Sequence, residues 1–267
     1  MHVSRAVLAV TVAAALGGCG GSKAADEQHR AKLEPLPPAG NGGPRDARAV
    51  GFRSLDGTGL RGRLFGHGEA AVVLSHMGNL PDSEADWYTL ARHLARDGYL
   101  VLAYNRQGVC SADRRYDCSA GLPDYKTAWK DVVGAVRFVQ SQGARRVAIG
   151  GASIGGTSSV YAAQSGLIHP AAVISLAGVN YVSGYTLDRA EVERIGGAKL
   201  FVSARLDPAN AARSAREWAG WARAPKRLVL LDSDRHGTDM LAPAAPTRRR
   251  LTKLLVRFVE TYVPASG

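Results

Sequence analysis

The chain has 267 residues, a length that suits one large domain or two small ones. Hydrophobic residues make up 46% and charged residues 21%, which excludes disorder throughout and allows a substantial core. Lys and Arg total 34 against 23 Asp and Glu, a formal net charge of +11. The basic residues are scattered apart from Arg248-Arg249-Arg250, and no DNA- or RNA-binding motif accompanies them, so no nucleic acid is expected as a partner; a basic face resting on anionic lipid or wall polymer stays open.

Residues 1–18 read as a signal peptide. Arg5 supplies the positive charge, and Ala6–Leu16 is apolar apart from Thr11, too short to span a bilayer as a helix. The run Leu16-Gly17-Gly18-Cys19 resembles the bacterial lipobox, Leu and two small residues before Cys. That resemblance implies a lipidated Cys19 as the mature N-terminus, and hence an extracytoplasmic protein held at the bacterial cell membrane by a lipid anchor. Residues 19–46 read as a flexible tether: five Gly, four Pro and mixed charges follow the Cys, with little apolar periodicity. Cys110 and Cys118 are the remaining cysteines, and outside the cytoplasm an even pair close in sequence predicts a disulfide. Seven intervening residues without His do not suit zinc, and no metal is expected.

From residue 47 to 267 a single domain alternates strand and helix. Ala49–Ser54 and Leu60–Phe65 flank Asp56-Gly57-Thr58-Gly59 and predict a hairpin. Further strands are predicted at Ala70–Ser75, Tyr99–Tyr104, Arg146–Gly150, Ala171–Leu176, Leu200–Ala204 and Arg227–Leu231. Helices are predicted at Ala85–Arg96, Asp124–Gln140, Gly155–Gln164, Asp188–Ile195, Ala209–Arg223 and Thr247–Val263. Short apolar strands between amphipathic helices imply an α/β fold with a mostly parallel eight-stranded sheet buried on both faces.

Three residues fall at strand ends. Gly151-Ala152-Ser153-Ile154-Gly155 is a G-x-S-x-G elbow between an apolar strand and a helix. Its glycines relieve collisions in a tight turn that lifts Ser153 above the sheet, where the helix dipole and the Ile154 amide favour a developing oxyanion. A neutral serine hydroxyl needs a base and an orienting acid. Of seven histidines, His2 and His29 lie in the signal and tether, and His67, His93 and His169 suit the surface. His236 lies in the loop after the last strand, where ligands bind in parallel sheets. Asp207, just past Leu200–Ala204, is the candidate acid; Asp232 and Asp234 are rivals too near His236 in sequence.

Residues 47–263 resemble the α/β-hydrolase superfamily, in particular dienelactone-hydrolase-like and bacterial lipoprotein serine hydrolases. Val72–Gly78 is similar to the strand and HGx turn of that superfamily, Trp87–Gly98 to its first helix, and Tyr99–Ser111 to its next strand and RGxGxS-type loop. The order Ser153, Asp207, His236 matches its Ser-acid-His order. The resemblance implies a second oxyanion amide from the turn after His76, which maps to Gly78; Met77 stands where the superfamily has Gly, which leaves both Met77 and Gly78 open. It implies a structural role for His76. Gln107 and Cys110 also depart from the superfamily, where Arg and Gly are usual. Only about 22 residues separate Ala177 from Leu200, where larger relatives insert a helical lid. No large lid is therefore expected, and Tyr181, Tyr185 and Met240 are candidates to line an open cleft.

The expected activity is hydrolysis of a small-molecule carboxylic ester through an acyl-enzyme, with no metal or organic cofactor. Peptidase, amidase or thioesterase chemistry would use the same residues. A non-catalytic lipid-anchored binding protein is the alternative of another class, and its expected mark is loss of the serine, the histidine or the acid.

Overall fold

The computed structural model describes residues 43–78, 81–111, 118–181 and 186–265. The signal segment, Cys19 and Tyr185 lie outside the described residues. The strands are β1 (Ala47–Arg53), β2 (Gly59–Phe65), β3 (Ala70–Ser75), β4 (Leu100–Asn105), β5 (Arg146–Ala152), β6 (Ala172–Leu176), β7 (Ala198–Ala204) and β8 (Lys226–Leu231). The helices are α1 (Tyr88–Arg96), α2 (Ala128–Ser141), α3 (Ile154–Gln164), α4 (Arg189–Glu193), α5 (Ala211–Trp221) and α6 (Arg248–Tyr262), with 3-10 turns at Glu84–Trp87 and Gly237–Leu241. Among the described residues no helix is long and apolar enough to cross a membrane.

All eight strands form one sheet in the order β1-β2-β4-β3-β5-β6-β7-β8. β1 pairs antiparallel with β2, and β2 with β4; every other pairing is parallel. The inner strands are short and almost wholly apolar because helices cover both faces. Leu94 of α1 and Leu251 and Leu255 of α6 pack on one face; Val132 of α2, Val160 of α3 and Trp218 of α5 pack on the other. β8 closes the sheet as an edge strand, and its exposed Lys226 and Arg227 disfavour pairing with another chain.

The helix boundaries shift where local polar chemistry wins over apolar period. Asp124 starts no helix: its side chain accepts from the Lys126 N–H at 2.8 Å and its carbonyl from the Thr127 N–H at 3.3 Å, and this turn delays α2 to Ala128. Asp188 and Glu191 form a capping box that starts α4. Asn210, at φ 57°, sets the start of α5. Between β6 and β7 the described chain adds α4 alone, and Asn180 grips Leu187 through both backbone groups at 3.0 and 2.8 Å.

Cys110 and Cys118 are joined, as the sequence predicts. The Gly108 N–H donates to the Ala120 carbonyl at 2.9 Å and the Ser119 N–H to the Val109 carbonyl at 3.0 Å, so backbone pairing holds the two arms beside the bridge. A loop this short contributes roughly 2–3 kcal/mol through chain entropy. Mass spectrometry of non-reduced peptides should recover the two cysteines in one linked species; two free thiols in secreted protein would contradict the bridge.

Candidate active site

Ser153 joins β5 to α3 at φ 49° and ψ −118°. Such strain costs on the order of 1–3 kcal/mol and persists only where neighbours impose it. Here the Ser153 N–H donates to the Leu176 carbonyl at the end of β6 (2.8 Å), and its carbonyl accepts from the Thr157 N–H (2.9 Å). The flanking glycines have a steric cause. A Cβ on Gly151 would lie 2.8 Å from the Ser75 carbonyl oxygen, and one on Gly155 2.5 Å from that of His76. The elbow is therefore pressed against the end of β3. Ile154 opens α3, so its N–H has no acceptor within the helix.

Asp207 follows β7 with its carboxylate fully shielded from solvent. Oδ1 accepts from the Ala209 N–H at 2.9 Å, and His236 Nδ1 lies 2.9 Å from both carboxylate oxygens. His236 follows β8, with a fifth of its side chain exposed. The carboxylate makes Nδ1 the protonated ring nitrogen and leaves Nε2 as a free acceptor. Asp232 and Asp234 do not compete: Asp232 is exposed and ion-paired with Arg205 at 2.7 Å, and Asp234 is exposed.

The His236 loop also meets the elbow. A Cβ on Gly237 would lie 3.4 Å from the Ala152 Cβ and 2.5 Å from the Met77 sulfur. Gly237 is at φ 52°, so both conformation and crowding favour glycine there. Ser153 and His236 thus each follow a residue or precede one at this contact, although no hydrogen bond joins their side chains. Catalytic hydrogen bonds are often long before substrate binds.

His76 is fully buried and neutral: burial, then the charge of Arg106, holds its pKa well below the usual imidazole value. The Arg106 N–H donates to Nε2 at 3.1 Å, so Nδ1 carries the proton and donates to the Met77 carbonyl at 2.7 Å. Arg106, itself buried, donates through Nη2 to the Met77 carbonyl at 3.0 Å and to the Gly78 carbonyl. With the Met77 carbonyl turned to these donors, the Gly78 N–H at the other end of that trans peptide points away from them. Arg106 carries no superfamily signature in the sequence, and its role emerges only from the packing.

Gln107, one of the departures, anchors the loop after β4. Its N–H and Nε2 donate to the two Asp131 oxygens at 3.0 and 2.9 Å, and Nε2 also reaches Asp56 at 3.1 Å. Burial pushes the fully buried Asp131 up to about 6, opposed by Gln107, Ser54 and Arg106. Its pKa in the fold is above the unfolded value of 3.8, so between about pH 4 and 6 the native state holds a proton that the unfolded chain has lost. This group therefore stabilises below pH 4, and its contribution falls by up to about 3 kcal/mol as pH rises to 6. Denaturant unfolding across that window should be less pH-dependent in Asp131→Asn than in the wild type; identical slopes would contradict the assignment.

Beside the His236 loop a cavity of about 250 Å³ is lined by Met77, Asp82, Asp86, Thr238 and Asp239. Burial and then Asp239 raise the pKa of Asp82, while Arg106 and His236 oppose that rise. Atoms packed around the carboxyl of Asp86 strip it of water and push it up to about 6, with Asp82 and Asp239 adding like charge. No functional role for these carboxylates is read from the sequence, where Asp86 falls in the predicted helix Ala85–Arg96 and Asp82 just before it. Among the described residues no group of three or more His, Cys, Asp and Glu side chains is placed to hold a metal ion.

Two of the residues expected to line the cleft are engaged elsewhere. Tyr181 is half exposed, donates to Glu217 of α5 at 2.9 Å and lies under Arg213. Met240 is fully buried in the hydrophobic layer that includes α6, so it is a core residue.

A central elbow between parallel strands, with later loops converging on it, defines the α/β-hydrolase fold, and the chain has that fold. A family model described as alpha/beta hydrolase fold matches residues 65–191. An esterase of Pyrococcus furiosus superposes with a TM-score of 0.67 at 14% identity, over 85% of this chain and 99% of that one. A dienelactone hydrolase from Anabaena variabilis superposes with a TM-score of 0.62 at 17% identity, over 82% and 100%. An enol-lactonase from Burkholderia xenovorans superposes with a TM-score of 0.61 at 17% identity, over 78% and 99%. No curated protein matches the chain.

Proposed function

We propose that the protein is a serine hydrolase of small carboxylic esters, with Ser153 as nucleophile, His236 as general base and acid, and Asp207 as the orienting carboxylate. The observation that carries this reading is the His236–Asp207 pair, with Nδ1 2.9 Å from both oxygens of a solvent-shielded carboxylate in a loop that touches the elbow. Ser153 attacks the acyl carbon and His236 Nε2 takes its proton. The alkoxide leaves with that proton, and water then hydrolyses the acyl-enzyme by the same route. The Ile154 amide is one oxyanion donor and Gly78 is the other, supported by the Met77 carbonyl being turned to His76 and Arg106. The fold supports hydrolysis, and its relatives include proteins called esterase and lactonase. A fluorophosphonate probe should label the wild type on Ser153, and a panel of short esters, amides and thioesters should show esters turned over fastest. Labelling elsewhere, or amides preferred over esters, would overturn the respective part of the reading.

The lipobox-like Leu16–Cys19 supports an anchor at the bacterial cell membrane. Metabolic labelling with a fatty-acid analogue should tag the wild type, and Cys19→Ala should abolish the tag. Equal labelling of both would reject lipidation at Cys19.

A further inference from the structure

We infer that a basic groove between α6 and α1 binds anionic phospholipid headgroups and seats the domain on the membrane surface. The inference extends the membrane-anchor reading and is independent of the hydrolytic one.

The groove encloses about 930 Å³ and is lined by Arg248, Arg249, Lys253 and Arg257 of α6 and by His93 of α1, with Glu260 as its single carboxylate. Arg249, Lys253 and Arg257 stand four residues apart and form one exposed stripe. Among the described residues, Arg248, Arg249, Arg250, Lys253 and Arg257 have no ion-pair or hydrogen-bond partner for their side chains, whereas Arg92, Arg145, Arg189, Arg205 and Arg213 are all ion-paired.

Local helix physics opposes this arrangement. Three arginines open α6, where the helix dipole favours negative charge. Like charges four residues apart on a helix repel one another as well. A helix that breaks both rules on one face is expected to gain something from an anion there.

The chain outside the described structure indicates which anion. The described residues begin at Gly43, and Asp46 is ion-paired with Arg92 of α1 at 2.7 Å, one residue from His93 in the groove. The domain is therefore entered beside the groove. With Cys19 as the anchor, 23 residues (20–42) connect it to Gly43. Tethering at this range makes headgroup binding effectively intramolecular, so weak contacts suffice. The groove shares Thr89, Pro243, Arg248 and Thr252 with the cavity beside His236, so seating here turns the candidate active site toward the bilayer side of the domain.

The test uses the full chain carrying Cys19→Ala, which cannot be acylated at that position, so its outcome does not depend on lipidation. Flotation with phosphatidylcholine vesicles, with and without phosphatidylglycerol, should show binding only to the anionic vesicles and weakening with salt. Adding Arg249→Ala, Lys253→Ala and Arg257→Ala together should weaken that binding roughly 100-fold. Arg137→Ala, Arg216→Ala and Arg223→Ala together remove the same charge from exposed positions among the helices of the opposite layer, and should change it little. Equal binding to both vesicle types, or equal loss from the two triple variants, would overturn the inference. Stabilisation by inorganic phosphate without vesicle binding would make the groove a small-anion site and overturn it too.

Discussion

Ser153→Ala is expected to lower kcat for a short activated ester by about 10⁴–10⁶-fold while leaving the fold intact. The side chain sits at a half-buried turn, and the contacts that hold the elbow come from backbone groups: the Ser153 N–H on Leu176, its carbonyl on Thr157, and the packing of Gly151 and Gly155 against β3. Alanine keeps all of these. His236→Ala should cost a similar factor, because a serine hydroxyl without its base is a poor nucleophile. The double variant should be barely slower than either single one, since the two side chains act as a unit. Steady-state kinetics alongside thermal unfolding check this: a stable Ser153→Ala protein with wild-type turnover would remove the serine mechanism altogether.

Asp207→Asn is expected to lower kcat by about 10⁴-fold, and the local hydrogen bonds specify why. The Ala209 N–H already holds Oδ1. In the variant the amide oxygen stays with that donor, so the NH₂ group takes the place of Oδ2, which lies 2.9 Å from His236 Nδ1. A donor at that position favours the imidazole that accepts at Nδ1 and carries its proton on Nε2, where it cannot take the proton of Ser153. Shape and packing barely change, so stability should fall far less than activity. Asp232→Asn provides the contrast: it breaks only an exposed ion pair with Arg205 and should stay near wild-type turnover. A result in which Asp232→Asn is crippled and Asp207→Asn is not would reassign the acid.

The strands of the sheet interior and the elbow were legible in the sequence because both depend on short-range pattern. Apolar runs such as Ala70–Ser75 match their observed limits, and the two glycines around Ser153 mark a turn that only close backbone approach explains. Helix starts were less legible. At Asp124 and Asn210 one polar residue satisfies the backbone locally and outweighs the apolar periodicity behind it. The contact between Asp207 and His236 followed from their placement after β7 and β8, which adjoin in the sheet. Arg106, Gln107 and the Asp82–Asp86–Asp239 group were not legible, because their partners are far away in sequence or across the sheet end. Arg106 meets Gly78 across 28 residues, and Gln107 meets Asp131 across 24. Met240, a candidate to line the cleft, is buried under α6, a packing that the sequence of its own loop does not display.

The strand order has a mechanical consequence. β1 is the outermost strand, pairs with β2 alone, and is the point at which any pull on the preceding chain enters the domain. Three strands, β2, β4 and β3, stand between it and β5, which carries the elbow. Load arriving at Gly43 is borne first by the Asp46–Arg92 ion pair and the β1–β2 ladder. A peeled first strand would leave the parallel strands under Ser153 still paired on both sides, so the domain can yield at its margin while the nucleophile keeps its posture.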